Sequence, residues 1–348
     1  MKLRMLMAAA IGLSVTFASE LRAQSVEEFY SKNTLTIIAA FNPGGSNDVY
    51  CRAIARHIGK HIPGKPNVIV QNMPGAATIR ATNYLWSVAP KDGTVIGNIQ
   101  RTVALHTILD KSKYEFDIRK FTWLGSSSSF ADDAYVLFAW ADPDVKTIED
   151  LRKKDGKPLI VSGTAAGSTS ADVPILLRDV LGLNLKVVLG YADSPAEMMA
   201  MERKEVDGRI TGLSTVRSAH ADWLKPNGKI RPLLQYARET RHPILPNIPM
   251  ARELARNDAE RQMIEISEFS YKIARPFIAP PGLPADRAET LQKAFMAVHK
   301  DPEFLAEAEK LQIDVSPIDG KGALEAISVL EKASPEVLER IKKVLEVR

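Results

Sequence analysis

LTIIAAFNPGGSNDVYCRAIARHIGKHI, residues 35–62, reads as a buried strand, a glycine turn and an amphipathic helix in immediate succession. Residues 35–41 are a short apolar run containing β-branched side chains, and Pro43-Gly44-Gly45 ends it sharply. Beyond the turn Val49, Ala53, Ile54, Ile58 and Ile62 recur at helical spacing and give one apolar stripe. Ser46 or Asn47 is expected to cap that helix, with Asp48 in its first turn, where a negative charge suits the dipole. Gly44 and Gly45 lack β-carbons, so a ligand can approach their backbone N–H groups, and such a turn ahead of a helix makes an anion site. A plain tight turn between strand and helix fits the same residues, and both readings stand at this point.

After this stretch, residues 67–71 read as a second strand, 78–88 as a helix and 94–99 as a third strand. Strands alternating with helices at this spacing are the signature of a parallel α/β sheet, whose ligands bind beyond the carboxyl ends of the strands. Three such ends, Pro43-Gly44-Gly45, Pro74-Gly75-Ala76 and Asn98-Ile99-Gln100-Arg101, are therefore expected to face one crevice. The serine run 126–129 and the apolar strand 134–140 mark the passage into a second lobe. That lobe repeats the device: a strand over 158–162, a small-residue loop over 163–170, a helix over 171–181 and a strand over 186–189. A helix over 195–203 and a strand over 206–211 complete it. A strand over 230–236 returns the chain, 241–249 is too proline-rich for regular structure, 274–279 adds a strand, and helices follow over 285–299, 302–311 and 322–330. The expected fold class is α/β with two lobes: 24–128 and 237–348 form the first and 129–236 the second.

Residues 1–23 carry Lys2 and Arg4, then an apolar core and small residues before Gln24, the pattern of a secretory signal peptide. Its removal takes Lys2, Arg4, Arg22 and Glu20 and lowers the formal net charge from +4 to +2. That near-neutral balance argues against a nucleic-acid partner. The single cysteine, Cys51, excludes an intramolecular disulfide even in an oxidising compartment, and it reads as a small packed residue.

Further motifs run along the chain: FNPGGSND at 41–48, QNMPGAA at 71–77, PKDGTVIG at 90–97, VSGTAAGS at 161–168, RHPILPNIP at 241–249 and IAPPGLP at 278–284. Together and in this order the sequence resembles the Bug family of periplasmic solute-binding proteins, the receptors of tripartite tricarboxylate transporters. The resemblance implies a two-lobe periplasmic-binding-protein fold, hinged by two crossover segments, that closes on a carboxylate-bearing solute. It also implies a periplasmic, monomeric receptor with no cofactor that serves large and small membrane subunits of a transporter. In the family backbone N–H groups and small hydroxyls of the glycine loops grip the carboxylate. Carried over, that grip falls on Asn42, Pro43, Gly44, Gly45 and Asp48 in the first lobe and on Gly163, Thr164, Ala166, Gly167, Ser168 and Thr169 in the second; Ser46, Gly75 and Ala76, at the same strand ends, are further candidates for the ligand site. The sequence also departs from the family pattern. Asn42 stands where proline or a small residue is common, Ala77-Thr78 replace glycines, and Ala192-Asp193 replace Lys-Gly after Tyr191.

Several candidates carry two readings. A carboxylate inside an anion site repels the ligand, so Asp48 is expected to brace the loop by accepting backbone N–H bonds. Gln100 and Arg101 follow the third strand, and Arg101 either pairs with a distal carboxylate or is solvated. Tyr191 and Arg209 are assigned to the second-lobe wall. His57 and His61, four apart on a helix, have a spacing metals use, yet no third ligand is evident nearby, so they read as exposed. Neither a G-x-S-x-G elbow nor H-E-x-x-H occurs, which weakens an enzyme. A secreted enzyme acting on a small anion and a ligand sensor for a signalling system remain the alternatives to a transport receptor.

Overall fold

The computed structural model describes residues 24–346 except 132, 142–144, 154–155 and 226, so the expected signal peptide lies outside the described residues. After a short helix, Val26–Lys32, come β1 (Leu35–Ala39), β2 (Val68–Asn72), β3 (Val95–Asn98) and β4 (Thr122–Ser126). The chain then builds β5 (Tyr135–Trp140), β6 (Leu159–Gly163), β7 (Leu185–Leu189), β8 (Gly208–Gly212) and β9 (Ile230–Tyr236). It returns to add β10 (Pro276–Ala279) and β11 (Ile318–Asp319) to the first sheet. The first sheet runs β11-β4-β10-β3-β1-β2 and the second β7-β6-β8-β5-β9. In the first, β1 lies parallel to β2 and β3, and β10 is antiparallel to β3 and β4. In the second, β6 is parallel to β7 and β8, while β5 is antiparallel to β8 and β9.

Strand period explains why both faces of each sheet need cover. Leu35, Ile37 and Ala39 face a core shared with Ile54 and Ile58 of the helix Ser46–Ile58 and with Leu291 and Phe295 of the helix Ala285–Val298. Ile38 and Ala40 point the other way, to Ala81, Leu85 and Ile327. In the second sheet Leu137 and Ala139 face the helix Thr169–Asp179, and Val136 and Phe138 face Met198, Met201 and Trp223. Each isoleucine buried this fully contributes roughly 1.5–3 kcal/mol. Among the described residues no helix is long and apolar enough to cross a membrane.

Two segments cross between the sheets, 127–134 and 237–275, and they run side by side. Ser127 N–H donates to Arg275 O at 3.0 Å and Ala274 N–H to Ser128 O at 3.0 Å. The expected 126–129 passage is thus one strand of a hydrogen-bonded hinge. The lobe boundaries differ from expectation in one respect: Met263 and Ile264 of the helix Asp258–Phe269 and Val337, Ile341 and Leu345 of the helix Pro335–Glu346 pack into the second sheet's core. The amphipathic stripe of each helix fixes a buried face, while the partner sheet is set by the path of the crossover.

His57 and His61 are not the exposed pair expected. Their Nε2 atoms lie 2.7 Å from Glu307 Oε2 and 2.7 Å from Asp301 Oδ2, across the contact with the helix Pro302–Leu311. His57, Asp301 and Glu303 also bring potential ligand atoms within 4.8 Å of one another. Lys60 Nζ sits 2.6 Å from both Asp301 and Glu303, so the cluster works as a helix–helix clamp. Cys51 is fully buried, and burial pushes its thiol pKa up.

Candidate functional site

The carboxyl ends of β1, β2 and β3 meet the second lobe across a cavity of about 400 Å³, a usual size for a small-molecule site. From the first lobe its wall includes Asn42, Gly45, Ser46, Gly75, Ala76, Gln100 and Arg101. Thr164, Ser168, Thr169, Tyr191 and Arg209 face them from the second. Pro43, Gly44, Asp48, Gly163, Ala166 and Gly167 do not line it. Ala166 and Gly167 instead border a separate groove beside His106 and Lys342.

The first loop is built from β1 outward. Gly44 turns at φ +83°, a left-handed conformation that favours glycine. Its N–H donates to Asp48 Oδ2 at 2.9 Å, and Arg52 Nε and Asn72 Nδ2 donate to the same carboxylate at 2.8 and 2.7 Å. Burial alone would raise the Asp48 pKa, but these hydrogen bonds outweigh it and hold the group below its ordinary value. Gly45, not Ser46 or Asn47, occupies the N-cap, without a side-chain cap bond, and the N-terminus of Ser46–Ile58 opens toward the cavity.

The second loop repeats this with different residues. Gly167, at φ +85°, donates its N–H to Asp172 Oδ1 at 3.1 Å, and Ser168 is the N-cap of Thr169–Asp179 without a cap bond of its own. Sequence reasoning missed Asp172. Its signal was an acid shortly after the loop glycine, matching Gly44 and Asp48. Asp172 also reaches the first lobe, with Oδ2 2.5 Å from His106 Nε2.

Ala77 and Thr78, which stand where the family pattern has glycines, adopt φ of +48° and +75°, directly after Ala76 at +47°, a strained cleft edge. The other two departures meet across the cleft: Asn42 Nδ2 donates to Ala192 O and to Asp193 Oδ2, each at 3.1 Å. Thr102 Oγ1 donates to Gly167 O at 2.6 Å, a further bond between lobes.

Three buried arginines reach the wall. Arg209 is neutralised by Glu197 at 2.9 Å and also donates to Ser194 O at 2.8 Å. Burial pushes the Glu197 pKa up, with Arg209 opposing the rise. Arg101 is not solvated: it is 3% exposed, its guanidinium 4.5 Å from the Tyr271 ring centre, 5.1 Å from Phe130 and 5.5 Å from Tyr135. Burial, and then the charge of Arg275, pull its pKa down to about 10, so it stays protonated near neutrality. Arg275, also missed, lies 5.1 Å over the Tyr50 ring with Nη2 3.4 Å from Ser46 Oγ. Its signal was a lone cation in the apolar run 273–279.

Two mixed sheets hinged by paired crossovers around a polar cleft make the two-lobe fold of periplasmic binding proteins. The sequence profile described as "Tripartite tricarboxylate transporter family receptor" matches residues 51–337, and the chain belongs to that family. No curated protein sequence matches it. Among solved structures it is similar to the periplasmic binding protein BugD, with 20% identity and a TM-score of 0.69, covering 90% of this chain and 98% of that one. MatC of Rhodopseudomonas palustris, solved with malate, has 19% identity and a TM-score of 0.66, with 90% and 99% covered. A second R. palustris protein, solved with adipate, has 18% identity and a TM-score of 0.69, with 90% and 97% covered.

Proposed function

We propose that this chain is a periplasmic receptor that captures a small carboxylate between its lobes and delivers it, unchanged, to the membrane subunits of a tripartite transporter. One observation carries the reading: helix N-termini from both lobes, at Gly45-Ser46 and Ser168-Thr169, open on one cavity. Backbone N–H groups at such termini bind anions, and the dipoles add to the attraction. A carboxylate held from both sides favours the closed state, because each charge-assisted hydrogen bond contributes roughly 1.5–3 kcal/mol. Family membership supports the receptor role, and the malate and adipate held by the two R. palustris proteins support the ligand class. Gly45, Ser46, Thr164, Ser168 and Thr169 are the residues assigned to the grip, with Asn42, Gly75, Ala76, Gln100, Arg101, Tyr191 and Arg209 completing the wall. The protein acts as a monomer and performs no chemistry on the solute.

Thermal melting of ligand-stripped protein against a panel of aliphatic and aromatic acids tests this. A bound acid at 100 times its dissociation constant adds about 2.7 kcal/mol of stability. The acid is then recovered and weighed by mass spectrometry. A rise with recovery of intact acid is expected; no rise with any acid, or conversion of the acid, defeats the reading.

A further inference from the structure

We propose that Arg101 and Arg275 form a second anion subsite, separate from the helix N-termini, that holds a further carboxylate of the ligand and makes the receptor select dianions over monoanions. This rests on the carboxylate-receptor reading and names the charge of the ligand at that same site.

Topology puts the two cations together. Arg101 lies just past the end of β3, Arg275 just before β10, and the antiparallel register Phe277↔Asn98 sets residue 275 opposite residue 100. Both side chains line the cavity and both are almost fully buried, at 3% and 4% exposure. Arg101 Nε and Nη1 and Arg275 Nε are buried N–H groups without a hydrogen-bond partner among the described residues. Among the described residues neither guanidinium has a carboxylate within ion-pair distance, whereas Arg209 in the same wall has Glu197.

An unpaired buried charge is costly, and two like charges side by side are more so. The aromatic faces of Phe130, Tyr135, Tyr271 and Tyr50 offset part of that cost, yet an aromatic ring accepts no conventional N–H bond in the guanidinium plane. The in-plane donors are left for an oxyanion. Placement also gives the subsite leverage on closure. Arg275 is part of the hydrogen-bonded hinge, and Phe130 and Tyr271, from the two crossovers, stack on Arg101. A carboxylate here neutralises the hinge itself, while one at the helix ends joins the lobes.

The test is calorimetry on ligand-stripped protein with acids matched in carbon number: succinate against butyrate, glutarate against valerate, adipate against hexanoate. At least one diacid is expected to bind about 100-fold or more tightly than its monoacid. In Arg275→Gln that preference is expected to collapse to within about fivefold, because the diacid weakens and the monoacid hardly changes. Diacid and monoacid binding wild-type protein alike, or Arg275→Gln weakening both equally, overturns the subsite and leaves the receptor reading standing. Failure of every acid of both series overturns the subsite, and the receptor reading falls with it only when the aromatic acids fail as well. The wild-type comparison needs no variant, and Arg101→Gln serves as the second variant, with circular dichroism and melting of the ligand-free protein confirming its fold.

Discussion

Placing a negative charge at Gly45 separates grip from fold. Gly45 has φ −75° and ψ 162°, a conformation any residue adopts, and a β-carbon there meets only Asn42 O, at 3.8 Å. Gly45→Asp therefore fits the loop, and aspartate is a better N-cap than glycine by a few tenths of a kcal/mol, with the dipole adding up to about 1 kcal/mol. The ligand-free variant should melt within about 2 °C of wild type or slightly above it. Binding responds differently. A carboxylate about 5 Å from a bound one, at an effective dielectric near 20, repels it by roughly 3 kcal/mol, or about 100-fold in affinity. Ser46 Oγ, on the next residue, lies 3.4 Å from Arg275 Nη2, so the new carboxylate also competes with the ligand for that arginine. Gly45→Asn has the same shape without charge and should lose less than about tenfold. Calorimetric titration of the three proteins with the tightest acid reads the result directly. Binding by Gly45→Asp within threefold of wild type, or an equal loss in Gly45→Asn, would refute the electrostatic argument.

Asp48→Ala strips three donors of their acceptor, so urea unfolding should show about 2–4 kcal/mol lost even without ligand; a loss under 1 kcal/mol would mean that the brace is dispensable. Asn42→Ala removes the bonds to Ala192 and Asp193, worth about 1 kcal/mol, and should open the ligand-free protein roughly fivefold, seen as a larger radius of gyration in solution scattering. An unchanged radius would show that these bonds do not hold the lobes together. Burial lowers the His299 pKa to about 4 from its ordinary 6.5. Between those values the unfolded chain binds the extra proton, so the contribution is present above pH 6.5 and lost as pH falls toward 4, by up to about 3 kcal/mol. His299→Met should lose correspondingly less between pH 7.5 and 4.5 in urea titrations; equal losses would exclude this residue as the source.

Much of the first lobe is legible in sequence because its signals are local. The β1 run, Gly44 at a left-handed turn and the stripe ending at Ile58 each constrain the next residue or the next turn. The crevice is legible too, since parallel strands put their loops on one side. What pairs across long separations is not. Nothing near His57 points to Glu307, and nothing in the stripe of Pro335–Glu346 says which sheet it covers. Arg275 belongs to the same class: one cation in an apolar run marks an exception, but only the antiparallel register of β10 with β3 brings it to Arg101. The loop acids lie between these extremes. Asp48 follows from the argument that an anion site should not present a carboxylate, and the same argument applied to Gly167 would have found Asp172.

Cys51 carries a practical consequence. It is the only thiol in the chain, it is fully enclosed, and its pKa is raised, so thiol-directed reagents meet an inert background. A cysteine introduced at exposed Ala192, on the rim that Asn42 touches, would become the sole labelling point without removing the native residue. A polarity-sensitive dye placed there would turn the approach of one lobe to the other into an optical signal, making the receptor its own assay.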